Sequence, residues 1–118
     1  MRQKGRKTLT EEPRKQIVQR MISNFLDILI LRLLQIEPMW GYKIIKKIRV
    51  LFEVNLGHGA LYPLLNSLEK EGYTRSEKIT KAGRTRKMYN ITPEGTRLVD
   101  VYYSFLKEQL KKKDIEEA

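Results

Sequence analysis

The segment from Gly59 to Tyr73, GALYPLLNSLEKEGY, constrains the fold of this chain more than any other. Its four leucines fall on one side of a helix drawn at 100° per residue, at Leu61, Leu64, Leu65 and Leu68. Gly72 is the expected helix stop, because glycine readily takes the left-handed conformation that ends a helix. The pattern predicts a helix over 60–71 that buries its leucines against a core.

A basic, strand-like stretch follows this helix directly. Residues 73–79 and 86–91 mix Tyr, Thr and Ile with charges, which predicts a hairpin whose loop spans 80–85. Residues 74–91 hold six Lys or Arg against one Glu, a net charge of +5. An ordinary solvated hairpin is the alternative, since exposed Lys also protects a sheet edge. The preceding helix favours a winged helix-turn-helix that binds DNA, with phosphate or minor-groove contacts from Lys81, Arg84, Arg86 and Lys87.

The polar side of the 60–71 helix is short and nearly uncharged. Gly59, Pro63 and Asn66 lie opposite the leucines, and Tyr62 flanks them. Small residues allow close approach to a groove, and an amide can pair with base edges. Taken without the hairpin, this side would be interpreted as a solvated face. With the hairpin, we predict that Tyr62, Pro63 and Asn66 face bases and that Gly59 lets the backbone approach a phosphate.

Further helices are predicted on both sides of this pair. Apolar residues recur at helical spacing between Pro13 and Ile36, as one helix or as two with a cap at Ser23-Asn24. A helix over 41–52 would turn Leu51 inward with three isoleucines, and Lys46 and Lys47 outward toward phosphates. Trp40 precedes it, and a plug in the helix junction is favoured over a pocket wall. Thr92-Pro93-Glu94 predicts the start of a last helix, with Thr92 as its N-cap.

Composition excludes several classes of function. The chain has 118 residues, no Cys and a single His, so disulfides, thiolate nucleophiles and His- or Cys-based metal sites are not expected. No catalytic constellation is visible, so we expect neither an enzyme nor a cofactor. The apolar run 25–34 is interrupted by Asp27 and Arg32 and is too short to span a membrane. Together with the absence of a signal-peptide pattern, this predicts a soluble protein, cytoplasmic and associated with the nucleoid.

Three stretches together resemble the PadR family of transcriptional regulators: LILRLLQIEPMWGYKIIKKI, GALYPLLNSLEKEGY and GRTRKMYNITPEG. The resemblance covers roughly residues 24–110. It implies a winged helix, binding to palindromic operators, repression, and in some members release by a small hydrophobic or aromatic effector. It also implies a homodimer joined through the terminal helices. Residues assigned to that interface are Phe25, Leu98, Val101, Tyr102, Phe105, Leu106 and Leu110.

The chain departs from the family pattern around Gly59. Hydroxyl residues usually flank this glycine, whereas here the neighbours are Gly57-His58 and Ala60, so a hydroxyl cap is lost or moved. The C-terminal region holds a single helix, as in a compact branch of the family. We expect a mainly α fold with a small β-hairpin: a flexible basic tail at 1–12, a winged-helix domain with an N-terminal helix extension at 13–92, and a dimerisation helix at 93–118.

Two other functions stay open at the level of sequence. A nucleoid-coating or RNA-binding protein would use the same positive charge without sequence preference. A winged helix used as a protein-interaction module would bind its partner in a salt-insensitive way. The clustering of the +10 net charge in the tail, the second helix and the hairpin favours binding to double-stranded DNA.

Overall fold

The computed structural model of the protein describes residues 13–17, 20 and 24–112. In this part of the chain the elements follow in the order α1 (Leu26–Ile36), β1 (Met39–Trp40), α2 (Gly41–Phe52), α3 (His58–Lys70), β2 (Thr74–Lys81), β3 (Arg84–Ile91) and α4 (Pro93–Lys111). Residues 13–17 are also helical. The fold is mainly helical with a small antiparallel sheet, as predicted. The predicted tail at 1–12 and the end of the predicted C-terminal segment, 113–118, lie outside the described residues.

Four helices and the sheet enclose one apolar core. Its fully buried side chains come from every layer of the fold: Ile30, Leu31, Met39, Ile44, Ile48, Leu61, Leu65, Tyr89 and Val99. Burying one such side chain stabilises the fold by about 1.5–3 kcal/mol. The leucine stripe of α3 is confirmed, because Leu61, Leu65 and Leu68 are buried and Leu64 packs against them. This burial leaves the opposite side of α3 exposed.

The structure corrects three predictions about α1 and α2. Of the two alternatives for 13–36, one unbroken helix is wrong, because Phe25 interrupts it with φ −112° and ψ 18°. The predicted cap at Ser23-Asn24 is also wrong, since the N-cap of α1 is Phe25, which makes no side-chain capping hydrogen bond. Leu51 does not point inward, since 56% of its surface is exposed. Phe52 takes the inward position in the last turn and packs against the core. At 100° per residue Leu51 lies only about 20° from Ile44, so periodicity predicted it inward, and its exposure shows that the rest of the fold does not cover this face in the last turn of α2.

The sheet contains a strand that the sequence pattern did not predict. Its order is β1-β3-β2, and the two-residue β1 pairs Met39 with Tyr89 and Trp40 with Met88. The predicted loop over 80–85 is also wrong. The strands continue to the pair Lys81–Arg84 and turn through Ala82 and Gly83 alone. Both turn residues have positive φ, 52° and 77°, as a tight hairpin requires.

Local hydrogen bonds end α3 and begin α4. Gly72, with φ 85°, donates its N–H to Glu69 O, and Tyr73 N–H donates to Leu68 O. This is the Schellman arrangement of a glycine-terminated helix. Two residues after β3, α4 begins as predicted: Thr92 Oγ1 accepts from Gly95 N–H at 3.1 Å. The same hydroxyl donates to Gly72 O, so one side chain joins the end of α3 to the start of α4.

Candidate nucleic-acid interface

The hairpin of β2 and β3, here called the wing, is fastened to the end of α3 by a carboxylate. Ser76 Oγ donates to Glu69 at 2.7 and 2.9 Å from the two carboxylate oxygens, and Ser76 N–H donates to Glu69 Oε2 at 3.3 Å. Hydrogen bonds to a charged acceptor are stronger than neutral ones. Because Glu69 is on α3 and Ser76 is on β2, these bonds set the angle between helix and wing.

The N-terminal half of α3 is held against α2 by an aromatic side chain. Tyr62 lies over Gly41, the first residue of α2, so closely that a Cβ at position 41 would meet Tyr62 Oη at 2.5 Å and Cζ at 2.9 Å. His58 stacks on Tyr62 with ring centroids 5.7 Å apart. Gly41 is therefore needed for close approach of Tyr62. The hydroxyl cap that is missing from the sequence around Gly59 is also missing from the structure. The N-cap residue of α3 is Gly57, and no side chain forms a capping hydrogen bond there.

A cleft of about 470 Å³ separates α2 and α3 from the wing. We call it the wing cleft. Its floor and walls come from β1, α2, α3 and β3. Aromatic side chains lie on the side of β1 and the helices, and cationic side chains lie on the wing side. Its lining residues are Trp40, Gly41, Tyr42, Tyr62, Arg84, Thr85, Arg86 and Lys87. β1 pairs only with positions 88 and 89 of β3, so positions 84–87 reach the cleft beyond the end of β1.

The structure brings some of the predicted DNA-binding residues together and separates others. Tyr62, Arg84, Arg86 and Lys87 line the wing cleft. The predicted groove residues Gly59, Pro63 and Asn66 are exposed on α3, and Lys81 is exposed at the end of β2. Lys46 and Lys47 lie outside the cleft, in a separate depression of α2 beside Val50.

Trp40 has a different role in the structure from the predicted plug. Its ring is partly exposed and borders three surface depressions. The guanidinium carbon of Arg86 lies 3.7 Å from the centre of the indole ring, which is a close cation–π stack. Sequence reasoning missed this contact and the lining role of Tyr42. The Gly41-Tyr42 pair was visible as a family motif, but nothing local linked Trp40 to a residue 46 positions later.

The charges of the wing are available to an external anion. In the described part of the chain, the wing's Lys and Arg side chains form no salt bridge within 4 Å. The ion pair that is present lies elsewhere, where the Lys43 ammonium donates to Glu37. This hydrogen bond and the positive charge lower the pKa of the Glu37 carboxyl. Tyr89 of β3 is buried in the core, and this burial raises the pKa of its hydroxyl. The neighbouring Tyr62 and Glu69 raise that pKa further.

The far half of α4 is exposed to solvent. Every residue of α4 from Tyr103 onward is exposed, including Phe105 at 58% and Leu110 at 77% of their surfaces. The near half packs on α1, where Phe25 and Tyr102 meet edge to face at 5.3 Å and Arg32 lies over the Tyr103 ring. Of the predicted interface residues, Val101 and Leu106 are also exposed, whereas Leu98 packs on the chain's own core.

The sequence that forms these helices and the wing matches a known protein family. The sequence model of the PadR-like family of transcriptional regulators matches residues 30–100, from the middle of α1 to the second turn of α4. The chain belongs to the PadR-like family. Members of this family are DNA-binding regulators of transcription and not enzymes. The winged-helix fold of this PadR-like chain and its class of function therefore agree with the predictions from sequence.

Solved structures of transcriptional regulators agree with the fold. A transcriptional regulator from Clostridium thermocellum is 31% identical, with 83% of this chain and 96% of that chain covered and a TM-score of 0.66. PadR family regulators from Clostridium difficile R20291 and Eggerthella lenta are 29% and 26% identical. They cover 75% and 87% of this chain, and 96% and 93% of their own chains, with TM-scores of 0.65 and 0.70. No curated protein matches the chain.

Two features are absent from the described residues of this PadR-like regulator. None of the helices there is both long and apolar enough to cross a membrane. Likewise, no group of three Asp, Glu or His side chains among residues 13–17, 20 and 24–112 is arranged to hold a metal ion.

Proposed function

We propose that the protein is a homodimeric repressor that binds a palindromic operator, with α3 in the major groove and the wing along the adjacent backbone. The observation that carries this proposal is the wing cleft. A DNA strand that leaves the major groove would cross it, where Arg84, Arg86 and Lys87 supply cations and Tyr62 supplies a hydroxyl. Contacts of this kind position a protein on DNA without reading its sequence.

Base readout is assigned to the exposed side of α3. Pro63 and Asn66 are exposed on the side opposite the buried leucines, and a Cβ at Gly59 would meet nothing within 4 Å. A side with this little charge contributes little to non-specific affinity. Sequence preference therefore depends on α3, and attraction depends on the wing with help from Lys46, Lys47 and Lys81. This division of roles favours a specific regulator over a nucleoid-coating or RNA-binding protein.

The homodimer is supported by the uncovered half of α4. About nine helical residues with exposed Phe105, Leu106 and Leu110 form a stripe that a second copy can cover. Phe25, Val101 and Tyr102 continue the proposed interface toward α1, with Leu98 at its inner edge. In the dimer, the two α3 helices should lie about 34–36 Å apart to meet successive major grooves.

DNA binding is tested by selecting bound fragments from genomic DNA and measuring their affinity by fluorescence anisotropy. We expect a palindromic consensus. Arg84→Ala should weaken binding to all sequences and reduce the slope of log K against log salt by about 1. Arg97→Ala, an exposed Arg on α4 with the same charge change, is the matched control. Asn66→Ala should alter the preferred sequence. Binding without any sequence preference would favour the nucleoid-coating alternative, and salt-insensitive binding to a protein partner would favour the interaction module.

The dimer and the effector need separate measurements. Phe105→Asp should convert the dimer to a monomer in sedimentation equilibrium, whereas Lys107→Asp on the same helix should not. A monomeric wild-type protein at micromolar concentration would contradict the interface. The proposal also includes a small hydrophobic or aromatic effector that lowers operator affinity, in line with the family resemblance. A panel of aromatic acids and amines added to the anisotropy titration tests it, and an unchanged affinity would remove the effector from the proposal.

A further inference from the structure

Arg86 differs from the other cations of the wing because another side chain holds it in place. It is half-buried, whereas Lys81, Arg84 and Lys87 are exposed. The register pairs Trp40 with Met88, and Arg86 lies two residues before Met88 on the same side of β3. This diagonal placement brings the guanidinium onto the indole face, 3.7 Å from the ring centre. Arg86 therefore enters the wing cleft with a restricted set of rotamers.

A stacked guanidinium remains able to bind a phosphate. The indole covers the flat face of the group, and the N–H donors of Arg point outward in the plane of the guanidinium. A planar cation held in this way can still form the paired hydrogen bonds that Arg makes to phosphate oxygens. The stack occupies only the face that such hydrogen bonds do not use. Trp40 thus restricts the motion of Arg86 without taking its donors.

We propose that Trp40 is a positioning residue for DNA binding, which acts by holding the Arg86 guanidinium at the edge of the wing cleft in the geometry that a backbone phosphate requires. The inference rests on the proposed function, since it assumes that DNA crosses the cleft. It assigns Trp40 a role through Arg86 and not through contact with bases. Trp40 should therefore raise affinity for all duplexes alike, and Asn66 should continue to set sequence preference.

The expected size of the effect follows from the motion that the stack removes. Immobilising one flexible side chain on binding costs an amount that corresponds to a roughly 2- to 12-fold loss of affinity. A chain with Trp40→Leu should accordingly bind DNA about 3- to 10-fold more weakly than wild type. Trp40→Phe keeps an aromatic face and should stay within about threefold of wild type. Arg86→Lys keeps the charge but loses the planar stack, so it should also bind more weakly.

A double-mutant cycle separates positioning from an independent contact. Affinities are measured by anisotropy on one selected duplex and on one scrambled duplex for wild type, Trp40→Leu, Arg86→Ala and the double variant. If Trp40 acts through Arg86, the double variant should bind within about twofold of Arg86→Ala alone, on both duplexes. Fully additive losses, or a Trp40→Leu affinity within twofold of wild type, would overturn the proposal. Thermal melts of each variant identify losses of affinity that come from unfolding. If Trp40→Leu is unfolded, the two conservative variants provide the test: Trp40→Phe should stay within about threefold of wild type and Arg86→Lys should bind more weakly, whereas wild-type affinity of Arg86→Lys would overturn the proposal.

Trp40 also reports on the stack directly, because it is the only tryptophan of the chain. Arg86 covers one face of the indole, so Arg86→Ala should make Trp40 more accessible to acrylamide quenching in the absence of DNA. Arg84→Ala, which removes the same charge from an unstacked position, should leave the quenching unchanged. Equal quenching in wild type and Arg86→Ala would refute the stack itself. If wild type binds no DNA at all, the proposed function fails, and this measurement still shows whether Trp40 holds Arg86.

Discussion

Replacement of individual glycines by alanine should separate folding from DNA binding. At Gly95, an added methyl group would overlap the carbonyl oxygen of Tyr73 and would lie 2.7 Å from Ile91 Cγ1. Ordinary contact begins at about 3.4 Å, so Ile91 would have to retreat by about 0.7 Å and the carbonyl would have to move as well. That carbonyl accepts a hydrogen bond from Thr92 N–H, and Gly95 N–H donates to Thr92 Oγ1. Displacement of the Tyr73 carbonyl would weaken its hydrogen bond with Thr92 N–H and so disturb the junction between α3 and α4.

The loss of stability can be estimated from these contacts. Overpacking of a tight site costs about 1–3 kcal/mol, and a weakened hydrogen bond adds about 1 kcal/mol. Gly95→Ala should therefore lower the free energy of unfolding by about 2–4 kcal/mol. For a domain of this size, the melting temperature should fall by roughly 10–25 °C. Circular dichroism melts at equal protein concentration give both quantities, because a dimer melts in a concentration-dependent way.

Two other glycines provide matched controls. At Gly41 the atom in the way is the hydroxyl end of Tyr62, a side chain that can rotate, so Gly41→Ala should change stability by no more than about 1 kcal/mol. It should lower DNA affinity instead, because Tyr62 must leave the wing cleft. At Gly59 the space is open, and Gly59→Ala should melt at or slightly above the wild-type temperature. A Gly95→Ala protein that melts within 3 °C of wild type would refute the packing argument.

Two further predictions concern the attachment of the wing and the response to alkali. Glu69→Ala removes the carboxylate that accepts from the hydroxyl and the N–H of Ser76, so it should lower stability by about 1–3 kcal/mol and weaken DNA binding. Glu71→Ala, exposed two residues later, should change neither. Equal melts and affinities for the two variants would contradict a bracing role for Glu69. Burial raises the pKa of Tyr89 above its usual value near 10.0, so the folded state favours the protonated phenol and loses stability as the pH rises through that raised pKa. Tyr89→Phe should be less destabilised than wild type in urea melts above pH 10, and parallel pH profiles of the two proteins would show that Tyr89 does not contribute.

Local patterns determined the order of the helices and of the two long strands, the end of α3 and the start of α4. The spacing of Leu61, Leu65 and Leu68 identified the buried side of α3, and Gly72 marked its end. Thr92-Pro93 identified the start of α4. These features depend on neighbours within a few residues, through helical periodicity, capping hydrogen bonds and backbone conformation. The combination of these motifs also identified the PadR-like family, and with it the class of function.

Contacts between distant residues were decided only by the tertiary structure. Strand β1 is too short to have a pattern of its own and exists because β3 pairs with it. The tight turn at Ala82-Gly83 follows from strand pairing that continues to Lys81 and Arg84, although Ala is not a usual residue for positive φ. The stack of Arg86 on Trp40 and the fit of Tyr62 over Gly41 join residues 46 and 21 positions apart. Sequence alone showed that the wing is basic, whereas packing of the sheet against α2 and α3 determined which cations face the cleft and which side chain holds one of them.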